Sequence, residues 1–106
     1  MHARVTRYEG NPQHLETAIK AINEQVIPGA KKIAGFKGGY WLIDRASGKG
    51  FSVTLFESES ALRASEDASA KLRSDAATAS GAKITGVERY EVIAEVPVQA
   101  PAMSAR

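Results

Sequence analysis

Apolar positions recur along the chain in blocks whose period switches between two residues and three to four. Residues 3–9 (ARVTRYE) mix β-branched, aromatic and long polar side chains and halt at Gly10-Asn11-Pro12, which predicts a first strand. Asn11 can accept from free N–H groups at a helix start, and Pro12 suits the first helical position. Leu15, Ala18, Ile19, Ile22 and Val26 then follow at helical spacing and form one face of a helix. Pro28-Gly29 is expected to end or sharply bend it, and residues 30–35 to add a short further turn. Residues 37–45 read as a second strand, residues 46–49 as a glycine-containing turn, and residues 50–57 (GFSVTLFE) as the hairpin partner. Ser58 is the expected N-cap of a second helix, whose inner stripe is Leu62, Ser65, Ser69, Leu72, Ala76 and Ala79, with Gly81 as its C-terminal cap. Residues 83–96 close with a strand, clearest over 87–96. The order β-α-β-β-α-β predicts a ferredoxin-like α+β sandwich, a four-stranded antiparallel sheet with two helices on one face. Residues 1–96 form this domain, and the Pro/Ala-rich residues 97–106 are expected to be a disordered tail.

The hairpin bears on assembly. Pairing Arg45 with Gly50 sets Ile43 opposite Ser52, Leu42 opposite Val53 and Tyr40 opposite Leu55. Alternation then gives one face Tyr40, Leu42, Phe51, Val53 and Leu55, and the other Trp41, Ile43, Thr54 and Phe56. Two helices cover only one side of a four-stranded sheet, so the other side leaves an apolar patch large for a monomer. A second copy of the chain, packed sheet to sheet in a two-fold homodimer, is the expected cover. Shielding by the tail or by a bent sheet is the competing arrangement.

Composition narrows the function classes. The chain has 106 residues, 43% of them hydrophobic, and carries a net charge of +2, in keeping with one ordinary globular domain. There is no cysteine, hence no disulfide, thiolate metal site or thiol catalysis. No apolar run is long enough to span a membrane. The opening residues Met1-His2-Ala3-Arg4-Val5 show no apolar signal core, so a cytoplasmic protein without membrane partners is expected. The tail contributes one of the basic residues, leaving the rest almost neutral, which argues against nucleic-acid binding. A competing signal is residues 49–56 (KGFSVTLF), which partly match the RNP1 motif of RNA recognition motifs, a module of the same strand order. Its central aromatic is here Val53 and its fourth residue is Ser52, and residues 3–9 make a poor companion motif.

Candidate chemistry is sparse. Small residues on the inner stripe of the second helix (Ser65, Ser69, Ala76, Ala79) leave room for a flat apolar ligand above the sheet, or simply let helix and sheet pack closely. Arg4, Arg7, Tyr8, Arg89, Tyr90 and Glu91 fall on the two terminal strands, where a Tyr or Arg beside a pocket stabilises a phenolate or oxyanion. Ordinary cross-strand Arg–Glu pairing is the alternative. His14 reads as a solvated helix residue and His2 as the one able to reach a cavity. Neither has the partner spacing of a metal site. No nucleophile elbow, phosphate loop or dinucleotide fingerprint is present, and Gly35 to Gly39 serve a turn before a strand.

Pro28, Gly35-Phe36-Lys37-Gly38-Gly39-Tyr40, Asp44-Arg45 with its turn, Ser52 through Ser58, and Tyr90-Glu91-Val92 together resemble the dimeric α+β barrel superfamily, nearest the antibiotic biosynthesis monooxygenase-like proteins. The resemblance covers about residues 2–96. It implies sheets packed face to face in a dimer, a pocket between sheet and helices in each subunit, and, in some members, oxidation of aromatic substrates by oxygen without metal or flavin. Others of the family degrade haem. Catalytic members place a Trp near the end of the third strand, where this chain has Phe56. Haem-degrading members add a His on the following helix, here near Ser65 and Glu66, and an Asn on the first strand, where this chain has Arg4, Thr6 and Arg7. Trp41 lies on the second strand instead. The expected protein is therefore a homodimer binding a small apolar or aromatic molecule, with cofactor-independent monooxygenation as the activity the family offers and no cofactor. Its candidate pocket residues are Arg4, Tyr40, Trp41, Phe56, Ser65 and Tyr90. A non-catalytic binding or structural dimer and an RNA-binding module are the alternatives.

Overall fold

The first strand, β1 (His2–Glu9), alternates buried and more exposed side chains and ends where Gly10 and Pro12 cannot continue the ladder. A computed structural model describes residues 1–98, so residues 99–106 of the expected tail lie outside the described residues. Asn11 caps as expected: its side-chain oxygen accepts the Gln13 N–H at 2.9 Å, with Pro12 opening a 3-10 turn (Pro12–His14). The helix runs on through α1 (Leu15–Ala21), a π turn (Ile22–Val26) and α2 (Ile27–Lys31).

Pro28 does not end this helix. It occupies the first turn of α2, directly after the π turn, where a missing N–H leaves no hydrogen bond unmade. The wider π turn resets the hydrogen-bonding frame just ahead of the proline, and the helix continues to Lys31.

Strands β2 (Phe36–Ile43) and β3 (Lys49–Phe56) form the expected hairpin, two residues out of the expected register. Ile43 pairs with Gly50, Leu42 with Phe51 and Tyr40 with Val53. Asp44 is the reason. Its N–H donates to the Lys49 carbonyl, its carbonyl accepts from Gly48, and its carboxylate accepts from Ala46 N–H and the Ser47 hydroxyl. Gly48 closes the turn at φ +80°, a left-handed conformation that glycine adopts without strain. A two-residue slip keeps every side chain on its face, so the two apolar sets are those expected.

Ser58 caps α3 (Glu59–Ala64) by accepting the Ala61 N–H at 3.1 Å. Ser65 interrupts the run before α4 (Glu66–Ser80), which Gly81 ends at φ +73°. The inner stripe holds at Leu62, Ser65 and Ser69 and on to Ala76, but Ala79 is exposed and Ser80 turns inward instead. Strand β4 (Lys83–Glu91) stops five residues short of the expected end. Its ladder with β1 ends at the His2–Glu91 pair, plus one bond from Val92 N–H to the Met1 carbonyl, so the following apolar residues find no partner and Ile93 is 92% exposed.

The sheet order is β2-β3-β1-β4, antiparallel throughout. This is the ferredoxin-like α+β arrangement, with β1 and β3 central. Helices α1, α2 and α4 lie over one face, against Trp41, Ile43, Ser52, Thr54 and Phe56. The other face carries Tyr40, Leu42, Phe51 and Tyr90.

Candidate functional site

Between sheet and helices lies a cavity of about 100 Å³. Its wall is mostly hydrocarbon: Leu15, Ala18, Ile22 and Val26 from the first helix, Phe36, Trp41, Ile43 and Phe56 from the sheet, and Leu72 and Ala76 from α4. The helical spacing of the first set and the strand alternation of the second bring them to one space. This volume falls below the roughly 300–1,000 Å³ common for drug-sized ligands, so it suits a small molecule.

Polar groups enter the wall at few points. Tyr8 hydroxyl donates to the Leu42 carbonyl at 2.9 Å, and burial pushes its phenol above the ordinary range, so it stays a neutral donor. Thr6, Ser52, Ser69 and Ser80 supply hydroxyls, and Arg4 and Arg73 supply guanidinium groups.

Arg4 is the centre of this polar end. Alternation turns it from β1 toward the helices, and it is 2% exposed. One terminal nitrogen donates to Ser69 Oγ at 2.7 Å; the other reaches Ser65 Oγ at 2.9 Å, the Leu62 carbonyl at 3.2 Å and Glu66 Oε2 at 2.9 Å. The guanidinium carbon lies 5.3 Å from the Phe56 ring centre, a cation–π contact. The break in the helix at Ser65 brings these acceptors together: the Leu62 carbonyl takes the Ser65 N–H at 3.2 Å and the Ser65 hydroxyl at 2.6 Å as well as the Arg4 guanidinium. These partners offset much of the cost of burying the cation.

Glu66 also takes both donors of Arg89, at 2.7 and 2.6 Å. These bonds first, and those of Arg4 after them, hold its carboxyl down at about 2 against the opposing effect of desolvation. Its folded value lies below the ordinary 4.5, so the resulting stability is complete above that pH and is lost as pH falls toward 2. Glu66→Gln is therefore expected to melt below the parent at pH 7, with the two melting temperatures converging between pH 4.5 and pH 2.5. Circular dichroism melts across that range check it; a gap of constant size would show that the ionised carboxylate contributes nothing.

Of the six sequence-derived candidates, Arg4, Trp41 and Phe56 line the cavity, and Ser65 stands behind Arg4 as its acceptor. Tyr40 and Tyr90 are not brought to it. Each alternates onto the outer face and is 52% exposed. His14 is exposed as expected, and His2 Nδ1 is buried without a partner. Arg7 pairs with Glu88 across β1 and β4, an ordinary exposed cross-strand pair. Arg73 was not anticipated. The signal for it is the row Glu66, Ser69, Arg73 and Ser80, a polar stripe at helical spacing beside the small-residue stripe.

No family model matches the chain. Rv2558 of Mycobacterium tuberculosis strain H37Rv, an uncharacterized protein, is 32% identical over 77 residues, which cover 73% of this chain and 33% of that protein. Uncharacterized protein MT2635 of strain CDC 1551 matches to the same extent. The chain thus spans about a third of the length of the curated relatives it matches. Solved structures match almost end to end. An antibiotic-biosynthesis-monooxygenase-type protein of Deinococcus radiodurans superposes with TM-score 0.70 at 10% identity, covering 94% of this chain and all of that one.

This chain has the antibiotic biosynthesis monooxygenase-like fold. Two further structures of that fold carry ligands. The monooxygenase ActVA-Orf6 of Streptomyces coelicolor, in complex with nanaomycin D, matches with TM-score 0.65 at 17% identity over 92% of each chain. The haem degrader MhuD of M. tuberculosis, with two haems in its active site, matches with TM-score 0.66 at 19% identity over 92% of this chain and 100% of that one. Within the monooxygenase-like fold, this chain's cavity has Arg4 and Phe56 at its polar end, and Trp41 on the wall formed by β2. No helix among the described residues is long and apolar enough to cross a membrane.

Proposed function

We propose that the protein is a homodimer that binds a small apolar or aromatic molecule in this cavity, with cofactor-independent monooxygenation as the reaction its fold offers. The observation that carries the reading is the hydrocarbon-walled cavity between sheet and helices, closed at one end by buried arginine. Packing at ordinary density leaves few voids larger than a water molecule, so one lined by Trp41, Phe36 and Phe56 is a binding space by default. Structures of the same fold hold nanaomycin D in one case and haem in another, which supports ligand binding by this fold.

In the catalytic form, Arg4 or Arg73 stabilises the anion of a deprotonated substrate carbon acid. Oxygen adds at that carbon, one atom stays as a carbonyl oxygen and the other leaves as water, the substrate supplying the electrons. Tyr8, which stays neutral and lies on the wall, is the candidate to return a proton to the departing oxygen, giving up its bond to the Leu42 carbonyl as it does so. Dimerisation is supported by the outer face, where Tyr40, Leu42 and Phe51 stand exposed on the adjoining strands β2 and β3 and Tyr90 on β4 at the other edge.

Oxygen uptake with single-ring hydroxylated aromatics such as phenol and resorcinol tests the reaction. Consumption of one oxygen per substrate, lost in Arg73→Gln, is the expected result. Quenching of Trp41 fluorescence without oxygen uptake across the panel would replace the enzyme with a non-catalytic binding protein. Absence of both would remove the ligand reading itself.

A further inference from the structure

The polar end of the cavity holds more positive than negative charge. Arg4, Arg73 and Arg89 meet one carboxylate, Glu66, and that carboxylate is already engaged by Arg89 through two bonds and by Arg4 through a third. Arg73 forms no ion pair among the described residues. It lines the cavity from α4, one turn beyond Ser69, and its Nη1 is buried with no hydrogen-bond partner. On the facing sheet, Arg4 Nε is also buried and unpartnered, while both terminal nitrogens of the same side chain have partners. Buried N–H groups nearly always find an acceptor in native proteins, and both arginines line the same cavity, so one acceptor bound there can serve the two donors.

We propose that the cavity binds an apolar molecule carrying a single carboxylate, with Arg73 as its counter-charge and Arg4 Nε as a second donor. This inference rests on the reading of the cavity as a ligand site. A carboxylate offers two acceptor oxygens and one negative charge, which match two free donors and one unpaired cation. A phenol ionises near pH 10 and offers Arg73 a charge only once deprotonated, whereas a carboxylate brings one at pH 7. The remainder of the wall is hydrocarbon and closes about 100 Å³, which accommodates a small ring or branched chain better than a heavily hydrated dianion. Burial first, with the charges of Arg4 and Arg89 adding to it, pushes Arg73 below its ordinary range against the opposing charge of Glu66.

The test compares isobutyrate with isobutyramide, which have nearly the same shape, differ in charge and are small enough for the cavity, by calorimetry and Trp41 fluorescence. The parent is expected to bind the acid at least about tenfold more tightly than the amide. Arg73→Gln should remove most of that preference while leaving amide affinity within about twofold, and Arg73→Lys should restore part of it. Unchanged far-UV circular dichroism establishes that each variant folds. Equal binding of acid and amide, or an acid preference untouched by Arg73→Gln, would overturn the carboxylate inference and leave an apolar-ligand site standing. Failure of both compounds to bind at millimolar concentration would overturn the inference together with the cavity reading beneath it.

Discussion

Replacing Phe51 with glutamate is expected to weaken self-association at least about 100-fold, because it carries a charge into each half of a two-fold sheet interface. The parent should sediment at twice the 11.3 kDa subunit mass at tens of micromolar, and the variant at the subunit mass. Phe51 suits the experiment because it lies outside the buried core of the subunit. It is already 37% exposed, and it lies opposite Arg7 on β1, whose guanidinium sits 5.7 Å from its ring. A glutamate there acquires a cross-strand ion pair within its own subunit. Tyr40, Leu42 and Tyr90 supply the rest of the face, and burial at about 25 cal/mol per Å2 makes even a modest shared patch worth several kcal/mol. A parent chain that sediments as a single subunit at that concentration would end the dimer proposal, whatever the variant does.

Arg4→Ala is expected to cost about 3–5 kcal/mol of folding stability, a large part of the roughly 5–15 kcal/mol typical of a whole domain. The loss has three sources. Ser65 Oγ, Ser69 Oγ and the Leu62 carbonyl lose a buried donor, the Phe56 ring loses its cation, and the cavity grows by the volume of the side chain. Glu66 is cushioned because Arg89 still binds it through two bonds. Arg4→Lys keeps the charge but not the fork, and should cost about 1–2 kcal/mol. Urea unfolding followed by circular dichroism measures both. A cost below about 1 kcal/mol for Arg4→Ala would show that the network is incidental to the fold.

These two residues mark how far the chain can be read without its structure. Cap and turn residues act locally, so Asn11 with Pro12, Ser58 and Gly81 bound their helices as their chemistry requires. Strand alternation is equally local, and it separated Trp41 and Phe56 from Tyr40 and Leu42. The errors arise where a second element intervenes. Pro28 signals a helix end, yet a π turn upstream converts its position into a helix start. Residues 92–96 have strand composition, but the β1 ladder is exhausted before them. At the hairpin, the hydrogen bonds of Asp44 move the register by two, a change that face patterning cannot detect because it preserves the pattern.

The same division holds for the candidate site. Arg4, Trp41, Phe56 and Ser65 were recognisable as residue types near a pocket, whereas Arg73 lies on a helix turn whose small neighbours drew the attention. By itself, the order of residues determined the strand and helix sequence, the two apolar faces of the hairpin and the near-neutral charge, since these depend on neighbours a few positions apart. Only the tertiary structure decided which face the helices cover, and so which aromatics enclose a cavity and which meet water. It also decided that Arg4 is gathered in by Leu62, Ser65, Glu66 and Ser69, some sixty residues along the chain. Such contacts follow from how packed layers meet in space, and no local period in the chain encodes them.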